Sequence, residues 1–306
     1  MLNIIGRRRL YYLISLILIV PGLVSLAIPP GLQLAVDFTG GTLWELQFER
    51  AASPADVKSV FSEHDLGDSI VQTSGERDIL VRSKEISSEG DQKSTIAAAL
   101  RSRIGPFVEL RFESVGPVVG QEIAGRAVQA VALAALGILL YIAWAFRHVE
   151  HPIRYGVCAI IALLHDALLV LGVFSILGRL FHIEIDALFV TAILTVIGFS
   201  VHDTIVVFDR IRENMRRMNG QPFESIVNHS LAQTLGRSLA TSLTVVFTLT
   251  ALVLFGGVTT RIFALTLLIG IVSGTYSSIF NASALLVSWE NGEIGRFARR
   301  TPARAT

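Results

Sequence analysis

Six apolar runs recur along the chain, each long enough to cross a ~30 Å hydrocarbon core as a helix. They occupy residues 10–28, 127–146, 155–177, 187–208, 237–258 and 262–288. The one long polar stretch, residues 29–126, lies between the first and the second. A lipid-embedded segment must satisfy its backbone internally, so the expected fold is a polytopic α-helical membrane protein of six transmembrane helices with one domain outside the bilayer. The composition agrees: 52% of the 306 residues are hydrophobic and 17% charged, which excludes an ordinary soluble enzyme. A net charge of +1 gives no bulk attraction for nucleic acid. The single cysteine, Cys158, sits in an apolar run and reads as a small buried hydrophobe. No Cys/His cluster suggests a metal and no Gly-rich loop suggests a phosphate, so no cofactor is expected.

Arg7, Arg8 and Arg9 precede the first run, as in a secretory signal peptide. The spans downstream favour an uncleaved first helix, stopped by Pro29, Pro30 and Gly31. The 29–126 segment reads as α+β. GTLWELQFER (41–50) alternates like a half-buried strand, and Ser53, Pro54 and Asp56 open a helix running to about His64. Residues 69–73 and 78–82 read as a hairpin. A second helix is expected over 88–104, stopped by Gly105 and Pro106, and PFVELRFESV (106–115) alternates again. The order βαββαβ is that of a ferredoxin-like domain, a fold too versatile to imply a function. Gly116, Pro117 and Gly120 read as a turn back to the membrane.

Positive charge orients the spans. Arg7–Arg9, Arg147, Arg154, Arg210, Arg212, Arg216, Arg217, Arg296, Arg299, Arg300 and Arg304 fall on one side of a six-span chain. The other side's short loops carry only Arg179 and Arg261. The expectation is a cytoplasmic N-terminus (1–9) and tail (289–306), and a basic cytoplasmic loop with an amphipathic segment at 209–236. The α+β domain is then periplasmic or otherwise extracytoplasmic.

The spans also carry groups that lipid does not tolerate alone. Asp203 lies inside the fourth, beside His202 and six residues before the charged pair Asp209 and Arg210, or roughly 9 Å at 1.5 Å per residue. A carboxylate there needs a partner, a water-filled cavity or a proton, and the readings are a proton-relay group or a helix–helix hydrogen bond. The third span holds His165 and Asp166. The fifth holds Arg237, with Thr241 and Thr244 near the same face and Ser238 and Ser242 flanking that stripe. The sixth holds Gly270-x-x-x-Gly274, a close-packing motif, followed by Thr275, Tyr276, Ser277, Ser278 and Asn281. Asp203 is expected to pair with Arg237. Burial disfavours the charged carboxylate and a guanidinium favours it, an opposition that a switchable proton site requires.

The motifs VDFTGG (36–41), SVGPVVG (114–120), GFSVHDTIVVFDRIREN (198–214), QTLGRSLATSLTV (233–245) and GTYSSIFNASALL (274–286) stand in order on this six-span chain. On them the chain resembles, over nearly its whole length, the SecF family of bacterial protein-export membrane subunits, of the resistance–nodulation–division type. The resemblance implies a multi-pass protein of the bacterial cytoplasmic (inner) membrane, not an enzyme, that uses the proton gradient rather than a cofactor. It implies partners: SecD, as a separate chain or a fused segment supplying the second six-span half; the SecYEG channel; the translocating preprotein; and membrane lipid, but no nucleic acid. It puts the proton-coupling aspartate on Asp203 and the arginine on Arg237, with Asp166, His165, His202, Thr241 and Ser242 as neighbours. Asp37, Gly40, Gly41, Gly116, Gly120, Gly270 and Gly274 become structural motif positions. The family more commonly has asparagine at the position of His202, and an aliphatic residue is expected at that of Asn281. Two other readings remain open: an assembly or scaffold subunit without proton transport, and half of a small-molecule efflux transporter.

Overall fold

A computed structural model of the protein describes residues 3–86, 91–147, 149 and 151–293. In chain order its elements are α1 (Arg8–Ala27), α2 (Val36–Thr39), β1 (Gly41–Phe48), α3 (Pro54–Glu63), β2 (Ile70–Thr73), β3 (Asp78–Ser83), α4 (Asp91–Arg103), β4 (Phe107–Val115), α5 (Pro117–Ala145), α6 (Pro152–Phe181), α7 (Ala187–Arg217), α8 (Phe223–Phe255), α9 (Val258–Tyr276) and α10 (Ser283–Glu290). A π-helical segment, Ser277–Ala282, joins α9 to α10. The chain forms two compact units, Leu34–Gln129 and the remainder.

In the α+β unit the four strands form one antiparallel sheet in the order β2-β3-β1-β4. Alternation in β1 sends Trp44, Leu46 and Phe48 to one face, where Val57 and Phe61 of α3 and Ile96 and Leu100 of α4 cover them. Ser53 is the N-cap residue of α3 and Pro54 its first, although the Ser53 side chain makes no capping bond. Residues 88–90, where the second helix was expected to begin, lie outside the described residues, as do the arginines of the 289–306 tail.

The turn expected at Gly116, Pro117 and Gly120 is instead the start of a helix. Pro117 opens α5 and Gly120 lies in its first turn, because proline at a first helical position loses no hydrogen bond. Gly40, at φ +71°, sits against this start: a Cβ on it would lie 2.7 Å from Pro117 Cα, and one on Gly120 2.9 Å from the Gly40 nitrogen. Gly41, at φ +109°, would meet the Ser83 carbonyl at 2.6 Å, and Gly116 would touch the Glu85 carboxyl at 3.4 Å. Asp37 sits in the first turn of α2. Gly40→Ala therefore destabilises this unit by more than the ~1–3 kcal/mol of its positive-φ, extended-ψ backbone alone. Limited proteolysis of the purified protein reads this as faster cleavage within residues 34–116.

In the helical unit and at its boundary, six helices are long and apolar enough to cross a membrane: Ile5–Ala27, Pro117–Ala145, Pro152–Phe181, Ala187–Arg217, Phe223–Phe255 and Thr260–Glu290. Close approaches are built on glycine and serine. A Cβ on Gly22 of α1 would lie 2.6 Å from Gly172 Cα of α6, and one turn on Ser25 Oγ and Ser175 Oγ are 2.7 Å apart. A Cβ on Gly270 of α9 would meet Val196 Cγ2 of α7 at 2.1 Å, and one on Gly274 would meet Ser200 Cβ at 3.0 Å. Leucines on α1 and α5, such as Leu16 and Leu133, remain exposed, as a lipid-facing surface requires.

The basic 209–236 segment is mostly helix rather than loop. α7 continues to Arg217 and α8 starts at Phe223. Ion pairs one turn apart support the extension: Arg210–Glu213 at 2.7 Å, Arg217–Glu213 at 2.6 Å, and Arg212–Asp209. At the same end of the bundle Arg8 joins Glu224 (3.3 Å) and Glu293, and Arg154 joins Glu290. The Arg8 guanidinium holds the Glu293 carboxyl below the usual carboxylate range. These bonds tie the starts of α1, α6 and α8 to the end of α10.

Candidate functional site

Some of the spans' polar side chains, among them Asp166, Ser200, Asp203, Ser238, Ser273 and Ser277, are buried between the helices. Small hydroxyl side chains suit such positions because they permit close helix contact and still supply donors. Two carboxylates organise them, and their surroundings differ.

Asp203 of α7 is buried. Its Oδ1 accepts from Ser238 Oγ of α8 at 2.6 Å, within the range of a charge-assisted O–H···O bond. Its Oδ2 is buried and has no hydrogen-bond partner among the described residues. Arg237 does not pair with it. The Arg237 side chain is exposed and makes no ion pair among the described residues. Successive helical residues point about 100° apart, so α8 can direct Ser238 or Arg237 at α7, but not both. Arg237 and His202 still bear on Asp203 electrostatically. His202, next to Asp203 on α7, is exposed, without a side-chain bond among the described residues.

The α8 residues sort the same way. Ser238 and Ser242 are buried, and Ser242 Oγ receives Thr275 Oγ1 at 2.6 Å. Thr241 lies on the exposed face with Arg237 and returns its hydroxyl to the Arg237 carbonyl at 3.0 Å. Beside Arg237 is a cavity of about 460 Å³, whose lining includes Tyr141, Trp144, Asp209, Glu213 and Thr234. Its wall thus comes within one residue of the Ser238–Asp203 contact.

Asp166 of α6 is fully buried and fully engaged. Oδ1 accepts from Ser273 Oγ (2.7 Å) and faces His165 Nδ1 (3.0 Å). Oδ2 accepts from Ser200 Oγ (2.5 Å) and Ser277 Oγ (2.6 Å). His165 and Asp166 are sequence neighbours with diverging side-chain directions, and the imidazole nonetheless swings round to the carboxylate. His165 Nε2 is buried without a partner among the described residues, with the Tyr276 ring centred 6.2 Å from its own. The serines donate to Asp166 rather than to His165, so no nucleophile–base pair forms here.

Sequence reasoning named Ser238 only as a flank of the Arg237 stripe and did not single out Ser200 or Ser273. Two parallel stripes one residue apart, Ser238/Ser242 and Arg237/Thr241, are visible in the sequence. Which of them faces inward is decided by neighbouring helices.

Comparison with known proteins agrees with this architecture. Residues 95–292 match the family described as "Protein export membrane protein SecD/SecF, C-terminal", and residues 25–52 match the "SecD/SecF GG Motif". A protein of Thermobaculum terrenum named protein translocase subunit SecF is 55% identical, over 100% of this chain and 99% of that one. One of the same name from Anaerolinea thermophila is 50% identical, over 98% of each. Among solved structures, the crystal structure of SecDF, a translocon-associated membrane protein from Thermus thermophilus, superimposes with a TM-score of 0.80 at 34% identity. That match covers 95% of this chain and 39% of the SecDF chain. SecDF in its super-membrane-facing form gives a TM-score of 0.67 at 32% identity, over 98% and 40%. A multi-pass membrane chain with these motifs and these relatives belongs to the SecD/SecF family of protein-export membrane proteins, among the members named protein translocase subunit SecF.

Proposed function

We propose that the chain is the proton-motive-force-driven accessory subunit of the bacterial Sec preprotein translocase, with Asp203 as the group that takes and releases the proton. The observation that carries this is the half-committed carboxyl. Ser238 holds Oδ1 while buried Oδ2 has no partner among the described residues, so a proton can be gained or lost on Oδ2 without breaking the α7–α8 bond. The cavity beside Arg237 offers a path from one end of the bundle, and Arg237 tunes the site through space. The energy is sufficient: one charge moved through 100 mV supplies ~2.3 kcal/mol.

The exposed His202 and Arg237 are expensive against lipid, so this face of α7 and α8 meets the second six-span half, SecD. The α+β unit, with its β2-β3-β1-β4 order, is the ferredoxin-like exterior domain. The end that carries the Arg8, Arg154, Glu224 and Glu290 ion pairs is the cytoplasmic face of the inner membrane. SecYEG and the preprotein are the working partners; the chain is no enzyme and uses no cofactor besides the gradient. The efflux reading is weaker, because a cavity on the α+β unit is only about 210 Å³ and sets Asp68, Arg82 and Lys84 beside Leu34, Val36 and Ile70, small against the several hundred Å³ usual for a small-molecule site.

The test is preprotein export into inverted membrane vesicles, with and without an imposed gradient, for wild type and Asp203→Asn, with SecD co-purification checked. Loss of the gradient's contribution in an intact complex supports the motor. Unchanged stimulation hands the role to a scaffold.

A further inference from the structure

The hydrogen-bond inventory separates the two buried carboxyls. Among the described residues Asp203 has one donor, while Asp166 has three hydroxyls and an imidazole nitrogen within 3.0 Å. Those hydroxyls come from three other elements. Ser200 is on α7, three residues before Asp203, while Ser273 and Ser277 straddle the junction where α9 passes into the π-helical segment. Past that junction, adjacent residues reach different helices: Ser277 goes to Asp166 of α6, while Ser278 meets Thr204 Oγ1 (3.0 Å) and the Ser200 carbonyl (3.1 Å) of α7. Asn281 then bonds Ser15 of α1 at 2.8 Å. π-Helical turns leave part of the regular ladder unmade and persist where side chains hold them.

We infer that Asp166 is a positioning residue of the proton site: by gathering Ser200, Ser273 and Ser277 it locks α7 to α6 and to the π segment, and so sets the place at which Asp203 meets Ser238. This rests on the reading of Asp203 as the proton carrier. Asp166 moves no proton itself. Its oxygens are occupied by donors, and the titratable groups near it are His165 on its own helix and, beyond the imidazole, Tyr276 of α9. Near Asp203 the corresponding groups are His202 of α7 and Arg237 of α8.

The experiment is gradient-stimulated export in vesicles over a series of pH values, for Asp166→Asn, Ser273→Ala, Ser277→Ala and the control Asp203→Asn, each with SecD co-purification. Ser277→Ala removes one donor of four and keeps the shape, so it assembles even where Asp166→Asn does not. A positioning role predicts that the serine variants shift the pH midpoint of stimulation in the same direction as Asp166→Asn. Stimulation at the wild-type optimum falls at least roughly tenfold, within the ~100-fold loss that ~1 Å of misplacement can cause. Wild-type profiles for both serine variants overturn the inference: if Asp166→Asn is also normal, Asp166 only packs, and if it alone abolishes stimulation, Asp166 carries a proton. The control separates the two readings. Stimulation that survives Asp203→Asn defeats the proposed function itself, whereas its loss there beside unaffected Asp166 and serine variants defeats only the positioning role.

Discussion

Asp203→Asn reduces export to the level seen without a gradient, and the complex still assembles. The amide has nearly the shape of the carboxyl, and its oxygen still accepts from Ser238 Oγ, the contact that joins α7 to α8 at 2.6 Å. The amide nitrogen takes the position of Oδ2, which has no partner to lose among the described residues. Packing therefore changes little, and the net effect of such a neutral replacement on folding is expected within about 1 kcal/mol. What disappears is the exchangeable proton, and with it the ~2.3 kcal/mol that each proton collects from 100 mV. The effect is all-or-none because an amide does not titrate in the accessible range. Asp203→Glu keeps the proton but lengthens the side chain in a closed site, and retains a fraction of the stimulation. Equal loss in both variants points to packing rather than proton exchange, and thermal melting in detergent distinguishes the two by revealing a destabilised glutamate variant.

The number of spans and the α+β order were legible because each follows from a pattern local in sequence: an apolar run of membrane length, or the twofold alternation that sends Trp44, Leu46 and Phe48 to one face. The start of α5 was misread because Gly-Pro-x-x-Gly fits both a turn and a helix N-terminus, and the deciding contact, Gly40 against Pro117, is far away in sequence. Asp203 stood out as a charge in an apolar run. Its partner did not. Opposite charge favoured Arg237, but the rotation of α8 is set by α9, where Thr275 takes Ser242 and thereby turns Ser238 toward α7. The saturation of Asp166 was invisible for the same reason: its donors lie on α7, α9 and the π segment, and no spacing rule on α6 reports them.

The largest loss of stability is expected from Gly270→Leu. Even a methyl group at 270 would sit 2.1 Å from Val196 Cγ2 and 2.6 Å from Cγ1, on the neighbouring helix. Valine is β-branched and holds one rotamer in a helix, so it cannot turn aside. Ala192, Val196, Ala264 and Ile271 pack tightly around the contact, leaving no space to absorb the added volume. The helices must separate, at or beyond the upper end of the about 1–3 kcal/mol typical of overpacking. Separation also reaches the buried polar side chains, since Ser273 lies one turn from Gly270 and Ser200 one turn from Val196. The Asp166 cluster, which takes a hydroxyl from each, is stretched on both sides. Gly270→Leu thus lowers the melting temperature in detergent and the yield of SecD complex together. Trimming the opposing side chain separates this contact from a general intolerance of bulk in α9: Val196→Ala restores much of the stability of Gly270→Ala. Additive effects in that double-mutant cycle would mean that α7 and α9 do not meet at these two residues.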